Sequence, residues 1–414
     1  MRRLRRLACD WQDTLCLGLS EPYAAAGAAE YIAAAMPMRV EIVDPPAYTP
    51  PYDRSLCAAL ARAGADVELV TSPFAHGEVP EPEGYRVRVD FYRRSARARG
   101  PAALRRAAKA GEHLVGMARL RWAPATADVV HYQWLTAPGL DALLLPPRRP
   151  RVLTPHGWLR REGIGDRAPA GLRRLLDRMD AVVALSEYGA ARIRDAAGIA
   201  ADRVHVIPHG TFDYLTRIDD PAPLPQELAG GERPVVLAFG LVRPYKGTDL
   251  LIDAVGELGD ADLWIVGRPL AVDLGELRRR AAPFGDRVRF VSRFVAEREI
   301  PAIFERADVV ALPYRDAEQS GVLYTALAFG KPIVVSDAGG FPEVAARGAA
   351  RMTPAGDVDA LAAALGELLA DPRERERLAA GARAAAAGPY SWDAVAGAHL
   401  RLYRELLGDG GDER

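Results

Sequence analysis

At 414 residues the chain is longer than the roughly 250–300 that one hydrophobic core serves, so two domains are expected. A formal net charge of -1 excludes the strongly basic balance of a nucleic-acid binder. Cys9, Cys16 and Cys57 give neither a disulfide framework nor metal-ligand spacing, and no apolar run approaches the roughly 18–20 residues of a membrane span. The opening MRRLRRLACDWQDTLCLG starts basic like a leader, but Asp10 and Asp13 break its apolar part, so a cytoplasmic location is expected. Met38 begins the first strand pattern, and residues 1–37 read as an N-terminal extension or a mis-called start.

From Met38 onward, short β-branched runs alternate with Ala/Leu-rich helical patterns, the signature of parallel βαβ units. Strands are expected at Arg39–Val43, Asp66–Thr71, Asp128–His131, Arg151–Thr154, Ala181–Leu185 and Val204–Ile207, with helices at Ser55–Ala63 and Gly189–Ala197 among the connections. Residues 38–218 thus form a first domain, and the Pro- and Gly-rich stretch 219–234 reads as a linker. A second series follows over 235–388, with strands at Val235–Phe239, Asp262–Val266, Val288–Phe290, Val309–Leu312 and Ile333–Ser336 and helices at Asp249–Leu258 and Leu274–Ala282. A final helix within 389–414 is expected to pack back toward the first domain. The fold class is α/β, two Rossmann-like parallel-sheet domains facing across a cleft, with ligands at the carboxyl ends of both sheets.

The first chemical constellation is FGLVRPYKGTD, Phe239 to Asp249, between a buried strand and a helix. Gly240 permits a tight turn while Arg243 and Lys246 offer two cations, an arrangement suited to a phosphate, although a solvated basic turn has the same composition. Lysine usage adds weight: Lys109, Lys246 and Lys331 are the only lysines among 54 basic residues, which marks them as positions wanting a compact ammonium. The second constellation runs from Tyr314 to Val344. It places Glu318, Ser320, Gly321 and Val322 at the start of a helix whose amides would face a phosphate, and Glu343 after a Gly-Gly turn. Glu318 could instead cap the helix, and Glu343 could be a surface acid.

These segments resemble the retaining glycosyltransferase group 1 family, whose fold is called GT-B. The matching pieces are SEYGAARI at Ser186–Ile193, VHVIPHG at Val204–Gly210, FGLVRPYKG at Phe239–Gly247 and EQSGVLYTALAFGKPIVVSDAGGFPE at Glu318–Glu343. The resemblance implies transfer of a sugar from a nucleotide-diphosphate donor to a hydroxyl, with retention, with no cofactor and no required metal. It also implies that Arg243 and Lys246 neutralise the donor diphosphate and that Glu318, the first glutamate of an E-x7-E motif, contacts the donor sugar. Where the second glutamate would grip the ribose, this chain is read as having Thr325. Arg268 and Arg293–Phe294 are expected near the base.

In the first domain, LTPHGW at Leu153–Trp158 resembles the family's T-x-H segment and puts His156 near the reacting carbon. His131, at the end of the preceding strand, is a further acceptor-side candidate, whereas His209 reads as structural. The first β-α turn, PPAYTPPYD at Pro45–Asp53, lacks paired glycines, so Tyr48 and Tyr52 with rigid prolines are expected to shape an acceptor pocket. The stretch Tyr92–Trp122 carries nine basic side chains, Arg99 among them, against Glu112; it is either a solvated helix face or a dock for anionic lipid. A lipid-linked acceptor and peripheral contact at the inner membrane face are the corresponding expectations. Two other readings stay open: a non-catalytic sugar-nucleotide binder, and an epimerase or phosphorylase of the same fold.

Overall fold

The computed structural model describes residues 37–74, 79–97, 101–124, 126–147, 150–157 and 168–408. The extension at 1–36, Arg99, Trp158 and the polar end at 409–414 lie outside the described residues.

The first sheet contains β1 (Arg39–Asp44), β2 (Asp66–Thr71), β3 (Arg86–Val89), β4 (Val129–Tyr132), β5 (Arg151–Leu153), β6 (Ala181–Ala184) and β7 (Val204–Val206). Its spatial order is β3-β2-β1-β4-β5-β6-β7, and every neighbouring pair is parallel. The central strands are buried on both faces, which is why they read as continuous apolar runs such as Ala181–Ala184. The edge strand β3 is absent from the expected strands because Arg-Val-Arg-Val is largely exposed and offers no such run.

The second sheet holds β8 (Val235–Phe239), β9 (Asp262–Val266), β10 (Val288–Val291), β11 (Val309–Leu312), β12 (Ile333–Ser336) and β13 (Arg351–Thr353), in the order β10-β9-β8-β11-β12-β13 and again parallel throughout. The short strand β13 is likewise absent from the expected set. Strand order reverses direction at β1/β4 in one sheet and at β8/β11 in the other, so each sheet opens a crevice beyond the carboxyl ends of those strands.

Several connections depart from the expected boundaries. The first helix starts at Pro50 rather than Ser55, with Pro50 and Pro51 in its first turn, where a missing N–H costs nothing. The stretch 219–234 is pinned to the second domain: Leu228 is wholly buried in its core, and the Arg289 guanidinium donates to the carbonyls of Leu228, Ala229 and Gly230. Helix Trp392–Leu407 lies on helix Pro50–Arg62 of the first domain. Its ties there include Arg62 to Asp393 at 3.2 Å and Tyr403 Oη to His131 Nδ1 at 2.7 Å.

Candidate active site

At the carboxyl edge of the second sheet, glycines let three segments converge. Gly240, at φ 89°, is packed so that a Cβ would sit 3.0 Å from Val322 Cγ2 and 3.1 Å from Lys246 Nζ. Gly267 backs it, and a Cβ there would come 2.0 Å from Gly240 O. Gly247 (φ 66°) presses on Pro313 O, which a Cβ would meet at 2.1 Å. Lys246 Nζ lies 3.5 Å from Phe239 O and 5.2 Å from the centre of the Tyr314 ring. Nearby, Val242 bridges to Pro269 and so brings the Arg243 and Arg268 loops together. Among the described residues, neither guanidinium makes a hydrogen bond or ion pair, in a chain whose arginines elsewhere pair extensively.

Helix Gly321–Ala328 has no side-chain cap, because the Ser320 hydroxyl is engaged with Tyr314 Oη at 3.1 Å. Its first turn packs against the loop that carries Lys246, since Val322 Cγ2 meets the Gly240 position, and partial positive charge gathers at its uncapped amides. Glu318 is buried and reaches toward the first domain. Cβ atoms placed on Gly189 and Gly157 would lie 3.6 Å from its Oε1 and 3.9 Å from its Oε2, respectively. The turn Asp337–Gly340 packs under this loop. Gly339, at φ 60°, would drive a Cβ to 1.2 Å from Ala317 O, so only glycine fits.

Two donor-side expectations are corrected. Glu343 does not point at a ligand position: its carboxylate crosses to the first domain and accepts from the amides of Glu187 (3.1 Å) and Tyr188 (3.0 Å), where the Ser186-capped helix Glu187–Ala197 leaves N–H groups without intrahelical partners. Gln319 makes a parallel tie, Nε2 to Leu185 O at 3.2 Å. Thr325 is buried and donates to Gly321 O at 2.9 Å within its own helix. Counted as seven intervening residues from Glu318, the second acidic position is Ala326, one beyond Thr325, and neither side chain carries a carboxylate.

At the first sheet's edge, His156 is half-buried just after β5. Its ring stacks on Trp134 (centroids 5.6 Å apart, planes at 19°) and meets Tyr52 edge-on at 4.7 Å. Burial, with a smaller contribution from His209, pushes its pKa down to about 3, so the ring is neutral. Tyr48 stands 58% exposed against Trp134, with ring centroids 5.3 Å apart. The preceding Ala47 holds a left-handed φ of 49°, a strain tolerated where the turn must aim the next side chain outward. Trp134 and its neighbour Gln133 are not among the residues expected from the sequence, although they follow His131 in the segment DVVHYQW.

Tyr52 and His131 are not acceptor-facing. Tyr52 is the centre of an aromatic cluster with His156, His209 and Trp392, because its helix begins at Pro50 and turns it inward. His131 lies wholly inside, between Tyr403 and Thr154. His209 is buried, stacked 4.4 Å from Tyr324 and donating to Gly210 O. Beneath the turn, Asp44 and Asp53 share a buried site; desolvation raises both, Asp44 to about 6. The base-side residues are also split: Phe294 is exposed, while Arg293 is paired with Glu299 at 2.6 Å. Among the described residues, no cluster of His, Cys, Asp and Glu could hold a metal ion and no helix is long and apolar enough to cross a membrane.

Comparison with known proteins gives the family and the fold. A family model described as "Glycosyl transferases group 1" matches residues 233–371, and one for "Glycosyltransferase Family 4" matches 53–211. A GDP-mannose-dependent alpha-(1-6)-phosphatidylinositol monomannoside mannosyltransferase of Mycolicibacterium smegmatis is 35% identical over 54% of this chain and 62% of its own. The chain thus spans less than two thirds of that relative's length. The enzyme of the same name from Mycobacterium tuberculosis is 32% identical, over 67% of this chain and 75% of its own. A phosphatidyl-myo-inositol mannosyltransferase of Mycolicibacterium smegmatis is 29% identical over 90% and 95%. In fold, the sucrose-phosphate synthase from Thermosynechococcus elongatus superposes with a TM-score of 0.67 at 19% identity, over 90% of this chain and all of that one. Anabaena HepE, solved with UDP and glucose, gives 0.63 at 21%, over 89% and all of that chain. The two sheets and these neighbours identify the architecture as GT-B.

Proposed function

The chain belongs to the group 1 glycosyltransferases, and from that premise we propose that it moves a sugar from a nucleotide-diphosphate sugar to a hydroxyl acceptor, with retention and without a metal. The observation that carries this reading is the convergence of Lys246, Gly240 and the uncapped helix at Val322, beside Arg243 and Arg268, which are unpaired among the described residues. Such a loop would hold a diphosphate and stabilise it as the leaving group gains charge. The bond from the anomeric carbon to the phosphate oxygen breaks while the bond to the acceptor oxygen forms on the same face. The acceptor proton passes to the departing phosphate oxygen. Glu318, reaching across the cleft, would accept hydrogen bonds from the donor sugar.

For the acceptor, the exposed Tyr48 and the Trp134 beside His156 suit the flat face of a sugar or cyclitol ring, and relatives named for phosphatidylinositol acceptors fit that shape. A lipid-linked acceptor also suits helix Ala102–Trp122. It buries His113, Gly116, Met117 and Leu120, but leaves Leu104 and Trp122 exposed among basic side chains, a composition that docks on anionic membrane surfaces.

Incubation with nucleotide-diphosphate sugars and inositol-containing acceptors tests the reading, GDP-mannose first. The product's anomeric proton should report retention, and excess chelator should leave turnover unchanged. Donor binding without product would favour a non-catalytic binder, an alternative prompted by the missing second carboxylate at 325–326.

A further inference from the structure

What His156 can offer a substrate depends on which ring nitrogen carries its proton. Gln133, wholly buried just past β4, lies between two histidines. Its carboxamide oxygen is 2.8 Å from His156 Nε2, and its nitrogen is 3.4 Å from His131 Nε2. A carbonyl oxygen only accepts, so His156 Nε2 must donate. The ring is neutral and has one N–H, which leaves Nδ1 as a bare lone pair. Among the described residues Nδ1 makes no hydrogen bond, on a side chain that is only partly buried and held between the rings of Trp134 and Tyr52.

The other end of the amide is consistent with this orientation. His131 Nε2 also lies 2.8 Å from Thr154 Oγ1, and Nδ1 lies 2.7 Å from Tyr403 Oη. If Nε2 accepts from the Thr154 hydroxyl and the Gln133 NH2, then Nδ1–H donates to the Tyr403 oxygen. The two imidazoles are thereby set in opposite tautomers, Nδ1–H at His131 and Nε2–H at His156. Turning the amide over would reverse both at once, so the chain from Tyr403 to His156 has one proton arrangement or the other.

We infer that Gln133 is a positioning residue that holds His156 as its Nε2–H tautomer, so that Nδ1 accepts a hydrogen bond from a substrate hydroxyl. This rests on the reading of His156 as a substrate-facing group. It narrows the role: a ring presenting a lone pair selects a neutral hydroxyl and has no attraction for a phosphate, which is left to the opposite edge of the cleft. Other titratable groups around His156 are Tyr52, His209 and His131, with Glu318 beside Gly157 across the cleft.

Nitrogen NMR on the full chain, labelled at its seven histidines, reads the tautomer directly; H156Q identifies the signal. The expected result is a protonated Nε2 with an unprotonated, pyridine-type Nδ1 at neutral pH. An Nδ1–H tautomer or an imidazolium overturns the inference, whatever the enzyme's activity. In Q133L the His156 tautomers should mix and kcat should fall about tenfold, the size of one hydrogen bond to substrate, with donor binding unchanged. An unmoved tautomer in Q133L would show that Gln133 does not set it. Q133E keeps the acceptor atom but favours the imidazolium, so activity should persist at high pH and be lost as pH falls; a profile identical to wild type counts against the assignment. Full activity in H156A would remove the substrate contact itself, and with it this role, while leaving a glycosyl transfer run from Lys246 and Glu318 intact.

Discussion

The carboxyl edge of the second sheet presents Lys246, Arg243 and Arg268 among tightly packed glycines, whereas that of the first presents Tyr48, Trp134 and His156 above a buried pair of acids. One edge offers fixed positive charge and open amides. The other offers ring faces and a neutral imidazole. Charge neutralisation is suited to holding and releasing a diphosphate, and shape is suited to a ring bearing hydroxyls. The contrast predicts that loss of a charge at the first edge acts on kcat and loss of a ring face at the second on acceptor KM.

The largest effect is expected at the charged edge. Lys246→Ala and Glu318→Gln should each lower kcat by about 10²–10³, in line with loss of a preorganised electrostatic contact, while circular dichroism remains that of wild type. Wild-type turnover in both variants would break the comparison. At the aromatic edge, Trp134→Ala should raise acceptor KM roughly tenfold, leaving the donor's thermal shift unchanged. If donor affinity collapses instead, the two edges are not separate.

Partition onto anionic vesicles sharpens the acceptor side further. The full chain should bind and release with salt, and replacing Arg105, Arg106 and Lys109 with alanine should weaken binding roughly a hundredfold, about 1 kcal/mol for each basic residue lost at the surface. Equal partitioning of the two proteins would show helix Ala102–Trp122 to be a solvated face.

The acids below the aromatic turn give a pH signature. Both folded pKa values lie above the ordinary aspartate range, so the stability tied to protonation is fully present below that range and is lost as pH rises, through about 6 for Asp44. Asp53→Asn supplies an amide donor in place of the proton. Its melting temperature should therefore decline less than wild type between about pH 5 and 8. Parallel curves would show that the pair does not share a proton.

The smallest effect belongs to Thr325→Val. Among the described residues its hydroxyl bonds only to Gly321 O, so stability should change by less than about 1 kcal/mol and donor affinity should hold. A tenfold weaker donor would mean that Thr325 touches the ribose after all.

Much of this organisation is legible in the sequence, and the exceptions have physical causes. Buried parallel strands announce themselves because both faces must be apolar; β3 is half solvated and stays hidden. The charged edge is the more readable because its glycines and cations cluster within short strand-loop-helix segments. The aromatic edge is readable only in part: Tyr48 and His156 stand out within their own segments, but they meet at Trp134 through three different β-α turns. Tyr52 departs from expectation for a local reason: Pro50 and Pro51 look like a rigid loop but begin a helix, which rotates that ring into the interior. Glu343 cannot be read from its neighbours, because its partners are amides more than 150 residues away.

The scarcity of lysine gives the chain an unusual chemical transparency. The Lys331 ammonium is half-buried and donates to Glu305 O and Ala307 O, while Lys109 lies on an exposed helix and Lys246, itself partly buried, lies in the glycine loop. An amine-reactive reagent therefore has few side chains to label, Lys109 and the loop's Lys246 among them. Lys109 serves as the internal standard and Lys246 as the reporter, so occupancy of the loop could be followed by mass spectrometry without a labelled ligand or an assay for product.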